Sequence, residues 1–162
     1  MRGVAGGGAT GEKAGMRWRA GMAAAALLAN AQACSAGLSG PRAADGCLSL
    51  VGGEERIVAG GRLTSRMFPG PPNFASIAAG DLPERAYILE LASSDCVDDG
   101  GDFADPNERF TIVHLIAEDE AARTMIGVFE GRDVIVRGRA FPSNNARHRA
   151  PLAMIPDAID ER

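Results

Sequence analysis

The chain has 162 residues, of which 46% are hydrophobic, 5% aromatic and 23% charged, and its formal net charge is −4. This length and composition suit one globular domain with a core of small side chains. The charge is uneven, because residues 1–36 hold four basic residues and one acidic residue, which leaves 13 basic and 20 acidic residues for the remainder. An acidic body repels phosphate backbones, so this balance disfavours nucleic acid as a partner.

The amino-terminal segment has the pattern of a secretory signal peptide. It combines a basic start, a short apolar run and an A-x-A cleavage site, at 16–19, 21–29 and 31–33. We therefore expect residues 16–36 to be removed on export to the periplasm or the medium. Residues 1–15 are expected to be an extension ahead of a translation start at Met16. No apolar run approaches the ~20 residues of a membrane helix, so no transmembrane segment is expected.

The three cysteines fit an exported protein. Cys34 lies at the predicted cleavage site, but the lipobox requires an aliphatic residue where Ala31 stands, which disfavours a lipid anchor. Cys47 and Cys96 remain in the mature chain, and in an oxidising compartment two such thiols usually pair. We therefore predict a Cys47–Cys96 disulfide over a catalytic or metal-binding thiol.

The mature chain begins with a leader at 37–46 that is rich in Gly, Ser and Pro and has no periodicity. The first strand is predicted at 57–67, where apolar and polar residues alternate. One face of this alternation holds Ile57, Ala59, Gly61, Leu63 and Met67. The pair Gly60-Gly61 marks a place where this strand can coil strongly.

A Pro-rich block follows the first strand. It consists of Phe68, Pro69, Gly70, Pro71, Pro72, Asn73 and Phe74. Three prolines and a glycine cannot continue a β-ladder, so we expect a rigid loop that extends to Pro83.

Two strands and an acidic segment come next. The second strand is predicted at 87–91 and the third at 110–116, where His114 is interpreted as a hydrogen-bonded sheet residue. The intervening segment 95–108 carries Asp98, Asp99, Asp102 and Asp105. It lacks the spacing of a calcium-binding loop, so a solvated acidic loop is favoured over a calcium site.

A short helix is predicted from Glu118, with acidic residues at its positive end, to Gly127 or Gly131. The clearest strand signal follows at 133–141. One face holds Val134, Val136, Gly138 and Ala140, and the other holds Ile135, Arg137 and Arg139. Gly138 predicts a bulge or a sharp bend in this strand. A last strand at 152–155 and a tail at 157–162 complete the chain.

The element order is strand, strand, strand, helix, strand, strand. This order is typical of the small five-stranded oligomer-binding (OB-like) barrel, which has one short helix between its third and fourth strands. We therefore expect a mainly β fold with a single barrel over residues 47–156. A split sandwich is the alternative architecture.

Several of these motifs also carry a resemblance to a known family. They are Gly61-x-Leu63, the block 68–74, Ser76-Ile77, Gly80-Asp81, the run 87–91, Cys96, the run 131–138 and His148. Together they resemble the uncharacterised secreted bacterial family called domain of unknown function 4431, over nearly all of 47–155. The resemblance implies an exported location and carries no known activity. The family tends to have a His cluster before the last strand, where this chain has Asn145, Arg147, His148 and Arg149.

No catalytic motif is present in the sequence. The sequence has only two histidines and lacks the G-x-S-x-G, P-loop, H-E-x-x-H and C-x-x-C patterns. Few ways therefore exist to pair a nucleophile with a base. The carboxylate pairs Glu54-Glu55 and Asp98-Asp99 lie in turn-like sequence, where charge is normally solvated. We therefore expect a non-enzymatic protein without a cofactor.

The arginines near the carboxyl end suggest a binding site. Arg137 and Arg139 share the outward face of one strand, and Arg147 and Arg149 flank His148 in the next loop. These five residues are predicted to bind a carboxylate or phosphate group; the alternative is that they only solvate a sheet face.

The working hypothesis is a monomeric, exported binding module for an anionic envelope component. One alternative is an envelope interaction or inhibitor protein that inserts the loop 68–74 into a target protein. A metal-binding protein is the other alternative.

Overall fold

The computed structural model describes residues 37–162, which form a mainly β unit with one α-helix in this part of the chain. The predicted signal peptide, the start at Met16 and the state of Cys34 lie outside the described residues. Within 37–162, no helix has the length and apolar character that crossing a bilayer requires.

The elements confirm the predicted order of strands and helix. They are β1 (Leu38–Ser39), β2 (Leu48–Ser49), β3 (Glu55–Pro69), a 3-10 helix (Ile77–Ala79), β4 (Pro83–Asp95), β5 (Val97–Asp98), β6 (Phe110–Leu115), α1 (Glu120–Gly127), β7 (Asp133–Pro142) and β8 (Leu152–Glu161). The structure adds the two-residue strands β1, β2 and β5, and otherwise differs at the ends of elements. Residues 157–161 continue β8 instead of forming a tail, and the leader 37–46 contributes β1, which pairs with β3.

The main, mixed sheet has six strands, which are the two-residue β1 at its edge and the five longer strands β3, β4, β6, β7 and β8. The antiparallel pairs are β3–β4, β4–β6, β7–β8 and β3–β7, and the parallel pair is β6–β8. The long strand β3 serves two neighbours, because residues 55–62 pair with β7 and residues 61–69 pair with β4. The series of pairings β3, β4, β6, β8, β7 therefore returns to β3.

Two glycines allow strands to approach more closely than a side chain would permit. A Cβ at Gly61, where β3 changes partner, would lie 2.3 Å from the carbonyl oxygen of Glu90. A Cβ at Gly138 would lie 2.1 Å from the carbonyl oxygen of Ile155. The β7–β8 register shifts between Arg137 and Gly138, which confirms the predicted bulge.

The inward faces of the strands form the core as alternation predicts. On β7, Val134, Val136 and Ala140 are fully buried, and they pack in one apolar cluster with Leu63 and Leu89 among others. Met67 shares a face with Leu63 by alternation, but it is 56% exposed. Alternation continues along β3 past Leu63, but the core ends there.

A second buried layer lies on the opposite face of the sheet. Ile88, His114 and Ala153 are cross-strand neighbours on β4, β6 and β8, and all three are buried. The loop between β7 and β8 contacts this layer, since the backbone N–H of Arg149 donates to Nδ1 of His114 at 3.3 Å. This loop brings the candidate functional residues onto the sheet.

The predicted disulfide between Cys47 and Cys96 is confirmed, with the two Cα atoms 4.8 Å apart. Beside it, β2 and β5 form a short parallel ladder in which the N–H of Leu48 donates to the carbonyl of Cys96 at 2.9 Å. The bond closes a loop with a sequence separation of 49 residues. It joins the amino-terminal end of the described chain to the end of β4.

Removing the disulfide with Cys47→Ser and Cys96→Ser together should lower the melting temperature by more than about 10 °C. A cross-link that closes ~50 residues contributes about 4 kcal/mol in the chain-entropy account, and 1 kcal/mol moves the transition of such a domain by roughly 3 to 6 °C. Calorimetry measures the melting temperatures of the double variant and the wild type. Ser49→Ala is the matched control, because it changes a residue near the disulfide and leaves the bond intact. Equal melting temperatures in the double variant and the wild type would contradict the prediction.

Candidate functional site

The Pro-rich loop between β3 and β4 is fixed by one buried carboxylate. Asp81 accepts hydrogen bonds from the backbone N–H groups of Asn73, Ala75 and Ser76 at 2.9, 2.7 and 2.8 Å. The amide of the Asn73 side chain adds a fourth bond at 3.2 Å. The bonds from the backbone of Ser76 and Asn73 lower the pKa of Asp81, so the carboxylate stays charged and orders the loop.

Arg149 joins this loop to the loop between β7 and β8. Its guanidinium lies over the rings of Phe68 and Phe74, 5.4 and 5.5 Å from their centroids. It also donates to a carboxylate oxygen of Glu84 at 2.8 Å and to the carbonyl of Ala146 at 2.9 Å. The side chain is 6% exposed. Arg149 therefore acts as a packed, paired residue of the fold.

His114 lies beneath the second loop, and His148 belongs to it. The rings of His114 and His148 are 6.4 Å apart, and His148 also packs edge-on against Phe141 at 5.3 Å. The Nδ1 atom of each ring accepts a backbone N–H, from Arg149 and Asn144 respectively. Burial lowers the pKa of both rings. The histidines are therefore neutral at pH 7, and their environment favours that form.

A cleft of about 280 Å³ opens beside these loops. Its walls come from the start of β4, the end of β6, α1 and the loop after β7. The lining residues are Glu84, Arg85, Tyr87, His114, Leu115, Ile116, Ala117, Arg123, Asn145, Arg147 and His148. With both histidines neutral, the positive charge of the cleft comes from its arginines.

The arginines of the cleft differ in their partners. Arg85 is paired with Glu130, and Arg123 with Glu120 at 3.0 Å. Arg147 has no carboxylate and no hydrogen bond to its guanidinium within residues 37–162; its only close partner there is the ring of Phe74, 5.8 Å away. Its planar set of donors is therefore free to bind an anion.

The structure divides the predicted anion-binding set. Arg147 and His148 line the cleft, and Arg149 lies beside them. Arg137 and Arg139 do not line it: Arg137 is paired with Asp160, and Arg139 lies 3.2 Å from Glu54 and 3.6 Å from Glu118. The five residues therefore do not form one surface that a single ligand could contact.

The predicted partner loop is also divided. The rings of Phe68 and Phe74 face the arginines of the neighbouring loop. Pro71, Pro72 and Asn73 are exposed, and Pro69 is half-buried at the end of β3. The two candidate segments, which the sequence analysis treated separately, are in contact.

Sequence reasoning missed Arg85, Tyr87 and Arg123. Arg85 and Tyr87 share a face at the start of β4, and the guanidinium lies 5.5 Å from the ring centroid. Their i, i+2 spacing beside the Pro-rich loop was the available signal. Nothing local indicated Arg123, because α1 approaches the cleft only through the fold.

The acidic segment before β6 is organised around Asp99. Its buried carboxylate accepts backbone N–H groups from 101, 102, 103 and 104. Burial raises the pKa of Asp99, but these bonds outweigh it and the net pKa is lowered. Across 37–162, no group of three or more His, Cys, Asp or Glu side chains could hold a metal ion.

No family model, curated protein or solved structure matches this chain. The site must therefore be interpreted from its own geometry.

The stability of the protein should fall as the pH drops from 6.5 to 4. Burial, and secondly the charges of His148 and Arg149, lower the pKa of His114 to about 4. The unfolded chain, with a pKa near ~6.5, binds the proton more readily in this window, so stability is full above pH ~6.5 and declines below it. The free energy of unfolding falls by up to about 3 kcal/mol, since a shift of one pKa unit corresponds to about 1.4 kcal/mol.

Urea unfolding at pH 7 and pH 4.5 measures this loss, with His114→Gln as the comparison because its side-chain oxygen can still accept the N–H of Arg149. The variant should lose less stability over the same interval. Protonation of Asp81 and Asp99 lowers the free energy of unfolding only below about pH 4, because the pKa values of both carboxyl groups are lowered in the fold. Identical pH profiles for the variant and the wild type would refute the assignment to His114.

Proposed function

We propose that the chain is an exported, non-enzymatic and monomeric binding module that holds an anionic envelope component in the arginine-lined cleft. Export is supported by the Cys47–Cys96 disulfide, because such bonds persist in oxidising compartments. The signal-peptide pattern at 16–36 points the same way. Membership of the domain of unknown function 4431 family stays a prediction from the sequence resemblance.

We further propose that the five main strands form a barrel of the oligomer-binding type. The support is the series of pairings that returns to β3, together with α1 between the third and fourth of those strands. Barrels of this type bind ligands on the face of strands two and three and in the loops between strands one and two and between four and five. By that analogy, the ligand-binding parts here are β4, β6 and the two loops joined by Arg149.

One observation carries the proposed function: the guanidinium of Arg147 lines a cleft and has no carboxylate partner in the part of the chain that the structure describes. Arg85, Arg123 and Arg149 beside it each have one. A charged, donor-rich group that the fold leaves unpaired is suited to a carboxylate or phosphate oxygen, which accepts two parallel N–H bonds from arginine. The neutral histidines and Asn145 supply further polar contacts.

Sulfate or phosphate should raise the melting temperature of the wild type in a saturable way. A ligand that binds only the folded state stabilises it by RT ln(1 + [L]/Kd). Arg147→Gln should weaken the apparent affinity at least about tenfold, since a hydrogen bond to a charged group is worth roughly 1.5–3 kcal/mol. Thermal shift titrations at constant ionic strength, balanced with chloride, give both values.

The matched control is Arg137→Gln, because the guanidinium of Arg137 is bound to Asp160 outside the cleft. This variant should respond to anions like the wild type. The absence of any saturable effect in the wild type, or an equal loss in both variants, would refute the proposed site.

A second candidate function uses the outer side of the Pro-rich loop. Leu82 is 64% exposed and Ile77 43%, on a loop whose backbone is fixed by Asp81. A rigid loop that presents apolar side chains loses little entropy when it enters a protein partner. This observation favours an envelope interaction or inhibitor protein.

Capture from periplasmic extract tests the second candidate. The wild type should retain a stoichiometric protein partner, and Leu82→Ser should lose it, because the exposed side chain would form the contact. Val128→Ser is the control, since Val128 is similarly exposed at the end of α1. Retention of the same partner by Leu82→Ser would exclude the loop as its binding surface.

A further inference from the structure

Tyr87 is a mostly buried side chain whose hydroxyl has no hydrogen-bond partner among the described residues. The side chain is 9% exposed, and its ring belongs to the core cluster while also lining the cleft. Arg85 lies over the ring, but the hydroxyl makes no hydrogen bond within residues 37–162. No side-chain nitrogen or oxygen of the described residues is both buried and without a partner, so this oxygen is open to solvent in the cleft. This hydroxyl is therefore available to a ligand.

The fold leaves room around this hydroxyl. A Cβ at Gly127, the last residue of α1, would lie 2.9 Å from the Tyr87 oxygen. The small residue keeps the helix from crowding the phenol. Any larger side chain at Gly127 would compete for the same space.

Two unused polar groups therefore line one cleft, and they differ in chemistry. Arg147 offers a fixed positive charge with several donors, whereas Tyr87 offers a neutral hydroxyl that can donate or accept. A simple anion satisfies only Arg147. A ligand that satisfies both groups carries an acidic group and a neutral hydroxyl, as well as an apolar surface for Ile116 and Ala117.

The size of the cleft limits the ligand further. Its volume of about 280 Å³ lies below the ~300–1,000 Å³ of pockets for drug-sized molecules. A single sugar ring with one acidic substituent suits such a space, and a large planar cofactor does not.

We infer that the cleft binds an acidic monosaccharide unit, in which Arg147 binds the acidic group and Tyr87 hydrogen-bonds to a ring hydroxyl. This inference rests on the proposed anion site. The unit is either a free sugar acid or a residue of an acidic polysaccharide, because both present the same chemistry.

Isothermal titration with glucuronate, glucose and acetate tests this inference. The wild type should bind glucuronate at least tenfold more tightly than either acetate or glucose, because only glucuronate engages both groups. Tyr87→Phe should reduce the affinity for glucuronate to about that for acetate and leave the affinity for acetate unchanged. A urea melt of the variant checks that the fold is retained.

Gly127→Ala provides a second variant that keeps the tyrosine. Its added methyl would crowd the hydroxyl, so the preference for glucuronate should fall there as well. An oligouronate that binds more tightly than glucuronate identifies a polymer as the source, and equal affinity identifies a single sugar; both support the inference.

Two outcomes would overturn the inference in distinguishable ways. If acetate and glucuronate bind equally well, or if both variants keep the preference for glucuronate, the anion site stands and the acidic sugar is rejected. If no anion binds at all, the proposed function fails together with the inference.

Discussion

The guanidinium of Arg149, packed over two phenylalanine rings, is the contact on which the cleft depends. It ties the loop between β3 and β4 to the loop between β7 and β8, which are far apart along the chain. Each cation–π contact is worth roughly 0.5–2 kcal/mol, and the ion pair with Glu84 adds directional bonds. Because Asp81 independently fixes the first loop, the second loop docks on a preformed surface. The cleft beside them is therefore largely preorganised.

The charges of the protein are arranged so that most arginines are neutralised locally. Arg137, Arg139 and Arg149 each lie beside a carboxylate, and the buried carboxylates Asp81 and Asp99 are satisfied by backbone donors. The pairs of Arg137 and Arg139 are exposed, and exposed ion pairs add little to stability, with a median of about 0–1 kcal/mol. Among the arginines that line the cleft, they neutralise Arg85 and Arg123 and leave Arg147 without a carboxylate from the described residues.

The elements of the fold could be predicted because their signals are local. The alternation along β7 and the glycine at its bulge can be recognised within a short segment of sequence. The disulfide follows from counting the cysteines of the mature chain. The distribution of the arginines could not be predicted, since the carboxylates that hydrogen-bond to Arg137, Arg139 and Arg149 lie 23, 85 and 65 residues away along the chain. Met67 shows the same limit, because alternation cannot indicate where a core ends. Tyr87 was assigned to a strand, but its free hydroxyl depends on the position of α1.

The disulfide has a consequence for how the protein bears tension. Both β3 and β4, together with the Pro-rich loop between them, lie inside the covalent loop closed by Cys47 and Cys96. If the chain is pulled by its ends, the force passes through the sulfur atoms and bypasses this segment. At ~3.6 Å per extended residue the hidden contour length is about 170 Å. The part of the cleft wall that β4 forms therefore cannot be extended along the backbone while the disulfide is intact, even when the rest of the chain is stretched.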